Sequence, residues 1–152
     1  MSSLDCLVID DACLALRRGE AVAFPTPCGY GFAVDPFHAA AEQCLSALKP
    51  DRSAPVGLIV ADRAQADVVV AHWSVEALRF AEAWPAALTL VLPARSGLPE
   101  CVVSPVGGVA LRVPESAPAR ALAVAPAGSG AARRASVAVM SWKHCARQHP
   151  TA

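Results

Sequence analysis

An α/β fold is the architecture this sequence predicts, and two observations carry that prediction. Short runs rich in Val, Ala and Leu, bounded by Pro and Gly, recur along the chain at residues 21–24, 32–34, 56–61, 88–92 and 108–113. Such runs are too short for helices that bury a face, and they fit buried strands. Between them lie longer stretches with apolar residues at helical spacing and with capping residues at their ends, at 7–18, 36–48 and 74–83. Strands that alternate with helices belong to layered α/β architectures.

Composition agrees with one globular domain. A chain of 152 residues can bury a substantial core, and 55% of it is hydrophobic. Aromatic residues make up 5% and charged residues 17%, so the core is built mainly from small aliphatic side chains rather than large rings. The formal net charge is zero, which excludes an overall basic field for nucleic acid but allows a local basic face. Cys6, Cys13, Cys28, Cys44, Cys101 and Cys145 include no Cys-x-x-Cys pair and no zinc-finger spacing with His. Free thiols in a reducing cytoplasm are the expected state, with no protein-bound metal. The acidic start (Asp5, Asp10, Asp11) does not read as a signal peptide, and no apolar run reaches membrane-spanning length.

The first helix is expected over residues 7–18. Leu7, Ala12, Cys13, Leu14 and Leu16 form its apolar stripe, with Asp10 and Asp11 near its start and Arg17 and Arg18 at its end. Gly19 ends it. Ala21–Phe24 is then a buried strand. A special loop, Pro25-Thr26-Pro27-Cys28-Gly29-Tyr30-Gly31, separates it from a second apolar run, Phe32–Val34. The two glycines allow close backbone approach to a ligand, and the two prolines stiffen the turn. A hydroxyl, a thiol and a phenol on one loop make Thr26, Cys28 and Tyr30 candidates for a binding wall. A plain structural turn is the alternative.

Pro36–Leu48 reads as the second helix, followed by Lys49 and Arg52 on a short loop. Two cations there can face phosphate oxygens, or can simply be a solvated helix end. Val56–Ala61 is a strand, 62–67 a connection or short helix, and Ser74 caps a helix running to Ala83. His72, just before it, reads as a surface residue. Trp84–Leu92 is a turn feeding a core strand in which Thr89 is a satisfied hydroxyl, and residues 94–104 form a loop. Gly108–Val113 is a strand carrying Arg112 near its end, where α/β folds often place ligand sites. An ion pair with Glu115 is the structural alternative for Arg112. Residues 126–136 read as a linker, and Val137–Met140 as a last strand that leads to Ser141. The expected domain spans residues 1–141, with a polar, basic tail at 142–152.

Four ordered segments carry a resemblance. Pro25-Thr26-Pro27-Cys28-Gly29-Tyr30-Gly31-Phe32 resembles the Pro-Thr-Glu-Thr-x-Tyr-Gly-Leu signature of the YrdC/Sua5 family, the threonylcarbamoyl-AMP synthases of tRNA modification. Lys49–Arg52 resembles the family's Lys-x-Arg with one extra residue. Trp84–Leu92 resembles Trp-Pro-Gly-Pro-Leu-Thr-Leu-Val-Leu, and Gly108–Pro114 resembles Val-Ala-Val-Arg-Val-Pro. Pro27 replaces the signature Glu, Cys28 replaces its second Thr, and Ala86-Ala87 replace Gly-Pro. The family's Thr-Ser-Ala-Asn run is not intact; Ser141 falls where its Ser would lie, flanked by Met140, Trp142 and Lys143. Family members continue past this point, which implies a diverged or truncated paralogue or a last segment read out of frame.

The resemblance implies a YrdC-like twisted mixed sheet with surrounding helices and a concave basic cavity. It implies a nucleotidyltransferase that forms threonylcarbamoyl-AMP from ATP, L-threonine and bicarbonate, with Mg²⁺ arriving on ATP. The product would pass to the tRNA threonylcarbamoyl-transfer machinery. Lys49, Arg52 and Ser141 would contact the nucleotide, while Thr26, Cys28, Tyr30 and Arg112 would contact threonine. Two other classes stay open. One is an inactive paralogue that binds nucleotide or RNA. The other is a thiol enzyme built on Cys28, with a base such as His38 brought near by the fold.

Overall fold

The computed structural model describes residues 3–26, 29–48, 50, 54–124 and 138–140. Pro27, Cys28, Lys49, Arg52, Ser141 and the 142–152 tail therefore lie outside the described residues, as does the 126–136 linker. The chain runs α1 (Ser3–Arg17), β1 (Val22–Thr26), β2 (Gly29–Val34), α2 (Ala41–Leu48), β3 (Gly57–Ile59), α3 (Arg63–Val69), α4 (Val75–Ala81), β4 (Leu90–Pro93), β5 (Gly108–Arg112), α5 (Ala117–Val124) and β6 (Ala138–Met140). One six-stranded mixed sheet has the order β1-β2-β6-β3-β5-β4. Among the described strands only β3 and β5 pair in parallel; the other pairs are antiparallel.

Side chains alternate across a strand, so the two faces of the sheet bury two different sets. Val34, Leu58, Leu92, Val109 and Leu111 join Ala41 and Leu45 of α2, Val69 of α3 and Ala77 of α4 on one side. Phe24, Ala33 and Ile59 join Cys13 and Leu16 of α1 and Ala119, Leu122 and Ala123 of α5 on the other. Leu16, Leu111, Val60 and Val109 are fully buried, in keeping with a core of small aliphatics.

Several expected boundaries shift for identifiable reasons. The segment 25–31 is not an open loop. It is a hairpin whose strands pair Pro25 with Tyr30 and Thr26 with Gly29, which leaves only two residues between them. Gly31 is extended strand; among the described residues, positive φ occurs at Gly19, Gly97 and Gly107. The second helix begins at Ala41 rather than Pro36. Asp35 Oδ1 accepts from the Phe37 N–H at 2.9 Å and His38 Nδ1 accepts from the Ala40 N–H at 3.1 Å, so local side-chain bonds hold residues 35–40 in turns. The Trp84–Leu92 run enters the sheet only at Leu90, and β4 is an edge strand rather than a central one. Trp84 Nε1 takes the Leu88 carbonyl at 2.9 Å, which removes that group from ladder pairing.

Other expectations match. Gly19 (φ 79°) ends α1. Ser74 caps α4 by accepting from the Ala77 N–H at 3.1 Å; the 62–67 stretch, open between a connection and a short helix, is the start of α3, which Asp62 caps through the Gln65 N–H at 2.8 Å. The last expected strand, β6, inserts between β2 and β3.

Candidate functional site

The register of the sheet decides which side chains can meet. Phe24 and Thr26 share a face of β1 with Ala33 of β2 through the pairs Phe24–Gly31 and Val22–Ala33. Ala33 pairs with Met140, Met140 with Gly57, and Ile59 with both Ala138 and Arg112. Since each pair lies on one face, Thr26, Gly57, Ile59 and Arg112 all belong to the face that carries α1 and α5.

A cavity of about 580 Å³ opens on that face. Phe24, Pro25 and Thr26 form one wall, Gly57 and Ile59 contribute from β3, and Ala87 and Thr89 come from the turn before β4. Arg112, Pro114, Glu115, Ser116 and Ala119 close the remaining side. The lining is mostly apolar, with Thr26, Thr89, Ser116, Glu115 and Arg112 as its polar groups, which is the usual constitution of a small-molecule site.

Among the described residues, Arg112 is its cation. The side chain is half-buried, and Nε donates to the Ala86 carbonyl at 3.2 Å. The Ala86 N–H in turn donates to the Val113 carbonyl at 3.0 Å, so the 84–89 turn is stapled to the end of β5. Trp84 supports this turn from behind, with its ring edge-on to Trp73 at 6.2 Å between centroids. The alternative ion pair between Arg112 and Glu115 is not formed; among the described residues no carboxylate pairs with Arg112, while Arg63 pairs with Asp67 at 3.0 Å.

Of the residues singled out from sequence, Thr26 and Arg112 meet in this cavity. Tyr30 does not. It sits opposite Pro25 in the hairpin, on the other face from Thr26, and is 76% exposed. Read as a loop, residues 25–31 leave side-chain direction open; in the hairpin, alternation turns Tyr30 away from Thr26. Thr89, assigned above to a strand interior, lies instead on the cavity wall and is exposed. Ser116 was missed, although a Ser three residues before Ala119 in an apolar stretch signals a helix cap, and its Oγ accepts from the Ala119 N–H at 3.4 Å. Cys28, Lys49, Arg52 and Ser141 lie outside the described residues.

A second cavity, of about 620 Å³, is lined by Pro36, His38, Glu42, Pro55, Glu100 and Cys101 among others. Its ionisable groups are two carboxylates, a thiol and an imidazole rather than a guanidinium, so it suits anionic substrates less well than the Arg112 cavity. His38 is committed through Nδ1 to the Ala40 N–H. His72 is exposed, as a surface residue should be. Among the described residues, no group of three or more His, Cys, Asp or Glu could hold a metal ion, and no helix is long and apolar enough to cross a membrane.

Comparison with known proteins places this geometry in context. The Sua5/YciO/YrdC family model, described as "Telomere recombination", matches residues 14–146. A threonylcarbamoyl-AMP synthase of Thiobacillus denitrificans is 36% identical over 109 residues, covering 70% of this chain and 58% of that protein. The synthase of Coxiella burnetii is 32% identical over 107 residues, with 69% and 58% covered. The chain thus spans little more than half the length of these relatives. Among solved structures, Sua5 of P. abyssi complexed with L-threonine superposes with a TM-score of 0.74 at 26% identity, covering 88% of this chain and 37% of that one. E. coli YciO superposes with a TM-score of 0.72 at 17% identity, covering 89% and 63%, and supports the fold alone. The match of the family model over most of the chain, together with the fold it shares with these structures, makes this chain a member of the Sua5/YciO/YrdC family.

Proposed function

We propose that the Arg112 cavity binds L-threonine beside ATP and that the chain forms threonylcarbamoyl-AMP for modification of adenosine 37 of tRNA. The observation that carries this reading is the convergence of Thr26 from the edge strand β1 and Arg112 from β5, across the sheet, on one cavity. Support comes from the name shared by the curated relatives and from the L-threonine held by the Sua5 of P. abyssi.

The reaction asks the protein for positioning and charge rather than for a covalent intermediate. Threonine's amine takes up CO₂ from bicarbonate as a carbamate. A carbamate oxygen attacks the α-phosphorus of ATP, the bond to the bridging oxygen breaks, and pyrophosphate leaves with that electron pair. Arg112 holds the threonine carboxylate, since its Nη groups can fork onto two oxygens while Nε keeps Ala86. Thr26 stands on the opposite wall. Lys49 and Arg52 offset charge on the phosphates, Cys28 completes the threonine wall, and Ser141 serves the nucleotide. Mg²⁺ accompanies ATP as its counter-ion. Tyr30 is given no substrate contact. The product is handed to tRNA-modifying partners in the cytoplasm.

A specific observation favours a second reading, an inactive paralogue that holds nucleotide or RNA. Cys28 stands where the signature has its second Thr, and a thiol is the weaker hydrogen-bond partner. The Thr-Ser-Ala-Asn run is also absent. Pyrophosphate release from ATP and bicarbonate, with and without L-threonine, separates the two. Threonine-dependent release that is lost in Arg112→Ala supports the synthase. ATP binding by folded protein without release supports the binding module.

A further inference from the structure

We propose that Arg120, which is not part of the cavity lining, is a positioning residue that sets the amino-acid end of the site. The proposal rests on the reading of the cavity as a threonine site. Its structural basis is the run that follows Arg112. Pro114, Glu115 and Ser116 line the cavity as the chain leaves β5 and turns into α5. Pro114 has no N–H with which to tether itself. The run is held instead through its acceptors. Arg120 Nη1 donates to the Pro114 carbonyl at 2.6 Å and to the Glu115 carbonyl at 2.7 Å. The Arg120 backbone N–H donates to the Ser116 carbonyl at 3.1 Å. One residue therefore grips all three lining positions from α5.

The grip has effect because α5 is itself fixed. Ala119, Leu122 and Ala123 pack with Cys13 and Leu16 of α1. At the far end of the helix, Gln65 Nε2 donates to the Ala123 carbonyl at 2.7 Å, while Gln65 Oε1 accepts from the Ala61 N–H at 2.6 Å, just past β3. Both cavity-lining elements, β3 and α5, are thus tied through Gln65, and Arg120 transmits that fixed frame to residues 114–116. Without its guanidinium the Pro114 and Glu115 carbonyls lose their donor. Either could then turn to Arg112, two or three residues upstream, and compete there with a substrate carboxylate. The apolar docking of α5 does not use the Arg120 side chain, so the helix stays in place.

The test is steady-state pyrophosphate release, varying L-threonine at saturating ATP and then ATP at saturating L-threonine. Arg120→Ala is expected to raise the threonine KM about tenfold, with kcat and the ATP KM within about twofold. Arg120→Lys, whose ammonium can donate to the same carbonyls, is expected to restore part of the loss. An unchanged threonine KM overturns the proposal. So does a parallel loss of kcat, both affinities and Tm, which is the pattern of a merely structural residue. If wild-type protein shows no threonine-dependent release, the functional reading fails on its own, and hydrogen exchange then decides the role of Arg120. Faster exchange at the Ala119 and Arg120 amides in Arg120→Ala, with α1 unchanged, supports the grip. Unchanged exchange there overturns it.

Discussion

Arg112 Nε donates to the carbonyl oxygen of Ala86 at 3.2 Å, and this bond divides the guanidinium between two tasks. One edge holds the 84–89 turn against β5, and on the proposed reading the rest takes the substrate carboxylate. A lysine cannot do both, because a single ammonium lacks the planar fork of donors. Arg112→Ala is expected to weaken L-threonine binding by about 10- to 100-fold, the range for charge-assisted hydrogen bonds worth about 1.5–3 kcal/mol. Arg112→Lys should recover less than half of that free energy. Calorimetric titration with L-threonine measures both; a lysine variant equal to wild type would remove the Ala86 bond from the account.

Asp35 gives the fold a pH dependence of known sign. It is half-buried between β2 and α2, and burial raises its carboxyl above the ordinary 3.8, against the lowering effects of the Phe37 N–H and of His38. A raised carboxyl favours the protonated form in the native state. Its contribution to stability is therefore fully present below the unfolded value and is lost as pH rises through the native one. Asp35→Asn keeps an oxygen for the Phe37 N–H and removes the buried charge. The variant should melt at a higher temperature than wild type at neutral pH, with the gap closing as pH falls below the ordinary value. Melts across the acid range check this, and a gap independent of pH would assign the effect to something other than the charge.

What could be read from the sequence follows from how local each signal is. Gly19 and the Ser74 cap are local events, and both stand where the residues placed them. Arg112 was legible because a lone cation near the end of an apolar strand needs a partner. The placement of β6 between β2 and β3 was not legible, because nothing near residues 138–140 states which strands they join. The edge position of β4 is likewise set by a long-range order. The directions of Tyr30 and Thr89 were not legible for a shared reason. Whether a residue near a Pro- or Gly-rich turn lies in a strand decides which way it points, and in both cases pairing rather than local composition settles that: the hairpin register for Tyr30 and the Trp84–Leu88 bond before Thr89.

The close approach of Gly19 and His38 predicts a stability effect remote from the cavity. Gly19 has a φ of 79°, and a Cβ built there falls onto the imidazole ring of His38. Gly19→Ala therefore meets left-handed strain of about 1–2 kcal/mol and must also displace a ring held by the Ala40 N–H. A loss of at least about 2 kcal/mol, near 4–8 °C in Tm, is expected. Ser74→Ala, which removes only a helix cap, should cost about 1 kcal/mol and serves as the scale. Equal shifts for the two variants would mean that the His38 ring yields freely.

Cys13 reports on whether α5 stays docked. It is 5% exposed, between α1 and α5, and burial raises its thiol above the ordinary 9.0 despite the opposing charge of Arg17. Less thiolate and little access both slow alkylation. Iodoacetamide at neutral pH should label Cys13 at least about tenfold more slowly in native protein than in urea-unfolded protein, as read by mass spectrometry of the peptide that contains it. The same labelling in Arg120→Ala separates two ways in which that variant could lose threonine affinity. If only residues 114–116 are released, α5 keeps its apolar contacts with Leu16 and Cys13 stays protected. If the helix undocks, Cys13 labels quickly and the loss of affinity belongs to packing rather than to the grip on Pro114 and Glu115.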